Sequence, residues 1–350
     1  MDKISIFILA LSSFKGVGDA TVKSILEEVN VDEDILDYNY LYKLKEKKIQ
    51  NLINKKISNK EIWLSSVEKA KEQIINAEEK GISVINFSEK NYPQNLLKQK
   101  KYPLIIYVKG NLSILNNEKT VAIIGTRNAT ILGKKMNERI SKHFYEQGYT
   151  VVSGLAKGHD AIAHQIGVQM TGNTVAILAH GLDQSVYPKE NRRLADEILE
   201  AGGAWLSTYP LGQKLVPQFL VARDEWQTSM SNGVIAVETG IKGGTNHALN
   251  HGLKQNKPVG MLDHTKFSKL TNEELNNTEQ IQGNLKRIND NEVYPLYELS
   301  SITHFDELMQ KYYNDSNDDF EKEKKQMSES KPVKTDNQEN TNVEQLGFDF

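Results

Sequence analysis

Four short stretches of this 350-residue chain combine glycine with a hydroxyl or a cation, the combination that lets a backbone approach and hold a phosphate. The first, Gly125-Thr126-Arg127, follows an apolar run and precedes a helical pattern that begins near Gly133. A small residue and a hydroxyl at a strand end let backbone N–H groups face an anion, and the planar fork of Arg127 matches phosphate oxygens. The second, Ser153-Gly154-Leu155-Ala156-Lys157-Gly158, again sets small residues and a cation before a helix, which carries His159, Asp160 and His164. The third is His180-Gly181-Leu182-Asp183, followed by Tyr187-Pro188-Lys189-Glu190-Asn191-Arg192. The fourth runs from Glu238 through Lys242-Gly243-Gly244-Thr245 to His247. None is a Walker loop or the dinucleotide G-x-G-x-x-G. Each alone is a weak signal; together they describe an extended anion groove.

The same residues offer little for bond-breaking chemistry. Ser153 lacks the G-x-S-x-G setting of a hydrolase nucleophile. The chain has no Cys, which removes thiolate nucleophiles, thiolate metal sites and disulfides. His247 and His251 share a helix face at i, i+4, but with no carboxylate or third His beside them they read as packing or capping residues. Asp160 reads as the residue that orients its own loop. No metal and no cofactor are expected.

For the four stretches to meet, each must leave the same edge of one sheet. Short apolar runs at 121–124, 150–153, 174–178, 204–207, 233–237 and 258–262 alternate with helical patterns at 134–147, 160–169, 190–200 and 246–255. That alternation predicts a doubly wound, mostly parallel α/β sheet, in which ligands bind at the carboxyl ends of the strands. The first 80 residues differ. Apolar residues at helical spacing, among them Ile25, Leu26, Val29, Ile53, Ile57, Val67 and Ile74, predict a small all-α domain. Within it, Gly16 and Gly18 make a tight turn that opens a helix, the layout of a helix-hairpin-helix. Such a turn either presents N–H groups to a DNA phosphate or only packs two helices. Residues 42–60 hold seven Lys against one Glu, a solvated face or a phosphate-facing one.

Charge locates the remaining part. Lys and Arg total 43 against 46 Asp and Glu, a net charge of -3 with no global basic signature, so any polyanion site must be local. Residues 311–350 hold six Lys against ten Asp and Glu, which leaves 37 basic against 36 acidic residues elsewhere. This tail is rich in Asn, Ser, Gln and Glu and is expected to be disordered. The expected organisation is a helical domain at 1–80, an α/β domain at 81–310 and an acidic tail at 311–350. The tail ends in an apolar cluster, Gln345, Leu346, Phe348 and Phe350. The string resembles the Gln-Leu-x-Leu-x-Phe peptide by which bacterial replication proteins dock on the sliding clamp, with Phe348 in place of the second Leu; alternatively it folds back on its own domain. The apolar run at 4–11 is too short to span a bilayer, and cytoplasmic residence without membrane contact is the simplest expectation.

Taken in order, these blocks resemble the DprA/Smf family, whose pattern is strand-GSR, SGLARGID-AAAH, GLD-x-x-YP-x-EN and a late Gly-Ser-rich turn. Tyr92-Pro93, Pro103-Leu104 and the stretch from Tyr107 to Asn111 resemble the entry to that family's extended Rossmann-like domain. The resemblance runs from about residue 14 to residue 265. It implies single-stranded DNA binding, a homodimer formed through the Rossmann-like domain, and delivery of the strand to a RecA-type recombinase in transformation or recombination, or in phage defence. On that basis Arg127, Lys157, Lys189, Arg192 and Lys242 would contact phosphates. Gly125, Thr126, Ser153, Gly154, Gly158, Gly243, Gly244 and Thr245 would bring the backbone close.

The chain also departs from the pattern. Where the family has Arg-Asn-Arg, this sequence reads Arg223-Asp224-Glu225, so Glu225 replaces a cation. Trp226 beside it would stack on a base or pack at a domain edge. The wider SLOG superfamily includes phosphoribohydrolases with a catalytic Glu after a glycine-rich turn. Here Asn246, His247 and Asn250 follow the turn, and Glu238 is the carboxylate left to substitute. The alternative function is therefore a SLOG-type nucleotide sensor or nucleotide N-glycosidase.

Overall fold

The computed structural model describes residues 1–329 except 31–32, 45–46, 58 and 269. Four helices open the chain: α1 (Lys3–Ser12), α2 (Asp19–Leu26), α3 (Lys47–Lys55) and α4 (Lys60–Glu78). Asp2 caps α1 by accepting from Ser5 N at 2.7 Å, and Asn59 caps α4 by accepting from Ile62 N at 3.0 Å. Phe7 of α1 meets Trp63 of α4 edge-on, with ring centroids 5.8 Å apart. Their apolar core continues into the first strands, including Ile82 and Tyr107, and Gln73 of α4 donates to the Tyr107 hydroxyl at 2.6 Å.

The nine-stranded sheet follows. Its first pair, β1 (Ile82–Asn86) and β2 (Ile105–Gly110), is antiparallel and flanks a short α5 (Gln94–Leu97). Then strands and helices alternate: β3 (Thr120–Ile124), α6 (Ile131–Glu146), β4 (Thr150–Ser153), α7 (His159–Met170), β5 (Thr174–Ile177), α8 (Arg192–Glu200), β6 (Ala204–Ser207), α9 (Pro217–Ser229), β7 (Gly233–Ala236), α10 (Thr245–Lys254) and β8 (Val259–Leu262). The short α11 (Asn272–Asn277) and α12 (Gln282–Asn289) lead to β9 (Tyr294–Leu296) and α13 (Leu299–Glu329). The strand order is β1-β2-β6-β5-β4-β3-β7-β8-β9, parallel from β6 to β9.

Every residue of β3 through β8 is buried, which is why each reads as an unbroken apolar run. Alternate residues serve opposite layers. Val121 and Ile123 pack with Met136 and Ile140 of α6 and Phe305 of α13, whereas Ala122 and Ile124 pack with Ala248 and Leu249 of α10. After β3 the chain proceeds to β4, β5 and β6 on one side; after β7 it proceeds to β8 and β9 on the other. The order therefore reverses between β3 and β7, and the loops that leave them diverge.

The chain divides into two units, Met1–Tyr313 and Asn314–Phe350. The stretch expected to lack structure from residue 311 is helical as far as Glu329, in keeping with the helix preference of its Lys, Glu, Gln and Met. Gln345, Leu346, Phe348 and Phe350 lie outside the described residues. Among the described residues no helix is long and apolar enough to cross a membrane.

Candidate functional site

Where the loops after β3 and β7 part, they leave a cavity of about 400 Å³. Gly125, Thr126 and Arg127 line one side, Gly243, Gly244 and Thr245 at the start of α10 another, and Asp224 and Gln227 of α9 a third. A smaller cavity of about 40 Å³ lies beside it, lined by Arg127, Gly154, Lys157, His180 and Tyr187. Arg127, Ala156 and Arg223 line both, so the two form one groove running from the end of β7 to the end of β5.

Close backbone contacts fix the groove walls. A Cβ on Gly125 would stand 2.5 Å from the His159 ring. Gly158 has φ +78°, and a Cβ there would run into the carbonyl oxygen of Thr126. The β3 and β4 loops thus touch backbone to backbone, which only glycine permits. Asp160 accepts from Gly154 N at 3.1 Å and Ala156 N at 3.3 Å, holding its own loop as the sequence suggested. Burial pushes its carboxyl up, partly offset by Arg223. Asn191 donates to Leu155 O at 2.8 Å and ties in the third loop.

Glu238, the candidate acid–base group, is fully buried. It accepts from Thr130 N at 2.9 Å and Thr130 Oγ1 at 2.5 Å, and faces Nε2 of both His159 and His264 at 3.0 Å. Burial alone would raise its carboxyl; hydrogen bonds from His159, His264 and Thr130 outweigh that and hold it well below the usual carboxylate range. Both oxygens are taken by the protein and Glu238 lines neither cavity. As a strand-end carboxylate it satisfies its own loops.

Arg223 emerges as a groove residue that the sequence reading left unassigned. It is 5% exposed, and its Nη1 donates to Ile177 O at 3.2 Å at the end of β5. A Cβ on Gly154 would fall on that same Nη1. The clue available was its place as the retained first cation of the divergent segment. Next to it, burial pushes Asp224 up to about 6 despite the neighbouring guanidinium. Glu225 is exposed. Trp226 is half-buried, packs against the cluster that contains Tyr92, Leu96 and Ile106, and lines neither cavity of the groove.

The other expected residues fall in several places. Arg127 is exposed on the wall shared by both cavities, and Lys157 is exposed and paired with Glu190 at 2.6 Å. Lys189, Arg192 and Lys242 are exposed but line neither cavity; Arg192 Nε donates to Val186 O at 3.2 Å. Ser153 is buried and its hydroxyl donates to Ile123 O at 2.7 Å. His164 is buried against Thr174 at 2.7 Å, and burial pushes it down to about 3. His251 meets Ser229 and Gln255, and among the described residues no cluster of metal-ligating side chains forms. Gly16 has φ +81°, and Gly18 precedes Asp19 in the first turn of α2. Burial raises the Asp19 carboxyl, which accepts from Leu104 N, so the chain's own carboxylate occupies the anion-favouring end of α2.

A family model described as DNA recombination-mediator protein A matches residues 83–293. A DNA processing protein DprA of Bacillus subtilis is 32% identical over 52% of this chain, and a protein Smf of Escherichia coli is 31% identical over 49%. The matches span 60% and 45% of those relatives' own lengths. Among solved structures, DprA of Streptococcus pneumoniae aligns with a TM-score of 0.63 at 21% identity, over 87% of this chain and 98% of that one. DprA of Helicobacter pylori, described for its mode of binding single-stranded DNA, aligns with a TM-score of 0.55 at 23% identity, over 66% and 96%.

Proposed function

The chain belongs to the DNA recombination-mediator protein A family, and on that premise we propose that it binds single-stranded DNA along the carboxyl ends of β7, β3, β4 and β5 and passes the strand to a recombinase. The observation that carries this reading is the position of Arg127, exposed on the wall common to both cavities, where one guanidinium serves a backbone crossing from one to the other. Gly244 and Thr245 at the N-terminus of α10 add backbone N–H groups and the positive end of a helix dipole. Lys157, Lys189, Arg192 and Lys242 supply exposed cations along the same strand ends. With the net charge of the chain near zero, these local cations set the affinity and make it fall with salt.

The reading is one of holding and handing over, without bond cleavage, and the saturated Glu238 supports it. The recombinase, a second copy of the chain and a sliding clamp met through residues 345–350 are the partners proposed. Titration of a labelled oligonucleotide against the wild-type chain and Arg127→Ala across a salt series tests the DNA reading.

A further inference from the structure

The groove ends at β5, but the sheet does not. Beyond β5 the order continues with β6 and β2, two further strand spacings or about 10 Å, to the edge on which the N-terminal helices pack. In that seam lies a third cavity of about 340 Å³. Both parts of the chain wall it: Ser12 and Asp19 from the helical part, Pro103 and Tyr107 before and in β2, Pro210 after β6, and Trp226 of α9. The same loop and helix serve the groove, since Leu215 and Leu220 line its smaller cavity. On the stretch that joins the two, Tyr209 stacks on Phe219 with ring centroids 4.1 Å apart, both rings half-buried.

The chemistry of this cavity differs from that of the groove. Among the described residues that line it there is no cation, and Asp19 is the one charged group, so a phosphate would enter without a partner. The cations stand at its rim. Lys15 and Lys101 are exposed, three residues from Ser12 and two from Pro103, and Lys23, one helical turn beyond Asp19, lies 4.5 Å over the ring of Tyr102. Cations outside and none within suit a unit of single-stranded nucleic acid that turns its base inward and keeps its phosphates out. Pro103 and Pro210 give apolar surface for a flat ring. The buried Tyr107 hydroxyl accepts from Gln73 Nε2 at 2.6 Å and so keeps its own proton to donate, while the Asp19 carboxylate accepts.

We propose that this cavity takes one unstacked base of the bound strand where the strand leaves the groove past β5, with Lys15, Lys23 and Lys101 facing the flanking phosphates. The inference rests on the reading of the groove as a single-stranded DNA site. It makes the helical part of the chain a component of the binding surface.

The test uses the full-length chain and a thymine tract of about four nucleotides, the low end of single-strand site sizes. The tract is extended at one end or the other by thymidines or by abasic units, which keep the phosphate and lack the base. At one end, the thymidine extension is expected to bind about tenfold tighter than the abasic one, the worth of a single base held against protein. Ser12→Leu, which fills the cavity from an exposed position, is expected to remove that difference, while Arg127→Ala weakens every tract. Equal binding of thymidine and abasic extensions at both ends, still dependent on Arg127, overturns the base cavity and leaves the DNA reading standing. A thymidine advantage that persists in Ser12→Leu also overturns it. Failure of the wild-type chain to bind any tract overturns the DNA reading itself. The thymidine–abasic comparison needs no variant, so a poorly folded Ser12→Leu does not remove the test.

Discussion

Arg223 reaches the sheet through the space that the missing side chain of Gly154 leaves: a Cβ on that glycine would coincide with Nη1 of the guanidinium. One residue from α9 and one from the β4 loop therefore set the floor of the groove between them.

Gly154→Ala is accordingly expected to displace Arg223, to cost about 1–3 kcal/mol of stability through overpacking, and to weaken oligonucleotide binding. Gly18→Ala provides the comparison, since Gly18 has extended backbone and nothing within 4 Å of an added Cβ. Urea denaturation and an oligonucleotide titration of both variants separate the two effects, and equal behaviour of the pair would show that Arg223 does not depend on Gly154.

Glu238 joins the β3 loop, the start of α7 and the end of β8 through Thr130, His159 and His264. Its carboxyl is held below its ordinary value, so its stabilisation is present above the unfolded-state value and is lost as pH falls through the folded one. Glu238→Gln is expected to lower stability at pH 7 by about 3–5 kcal/mol, the usual cost of breaking a buried charged cluster, and to flatten the acid limb of a stability–pH curve. A base-release assay on nucleoside monophosphates should read zero for the wild-type chain; release that disappears in Glu238→Gln would restore the hydrolytic reading.

Asp224 has the opposite sign. Its carboxyl is raised to about 6, so the folded chain binds a proton more tightly than the unfolded one, and stability falls as pH rises through that value. Asp224→Asn should therefore be more stable than wild type by roughly 2 kcal/mol at pH 7.5, with the difference shrinking toward pH 4.5. Thermal midpoints at the two pH values check this.

Lys257 holds the far end of the same helix. Its buried Nζ donates to Thr228 O at 2.8 Å, Ser229 O at 3.3 Å and Ser231 O at 2.6 Å, gathering carbonyls at and just beyond the C-terminus of α9. Lys257→Met should cost about 2–4 kcal/mol in the denaturation midpoint, since several buried acceptors lose their donor. Because α9 carries Arg223, the surviving folded fraction should also bind oligonucleotide more weakly.

How far the sequence reveals this arrangement depends on whether a residue's role is local. The strands β3 to β8 are legible because burial on both faces makes each an unbroken apolar run between turn residues. The β1–β2 pair and β9 are not. β2 is antiparallel to its neighbours, and β9 is a three-residue Tyr-Pro-Leu strand in which proline masks the pattern. Arg127 and the glycine turns are legible because loop chemistry is written in consecutive residues. Arg223 is not, because its burial depends on Gly154, 69 positions earlier in the chain. Ser153 and Glu238 carry the residue types of ligands, yet each bonds to neighbouring loops and strands, a choice set by contacts that sequence spacing does not contain.

The most direct measurement is the salt dependence of oligonucleotide affinity for the wild-type chain and Arg127→Ala. The account predicts that the variant binds more weakly and that its slope of log affinity against log salt is shallower by about one, the loss of a single phosphate contact. Equal affinity and equal slope for the two proteins, or no binding by the wild-type chain, would contradict it.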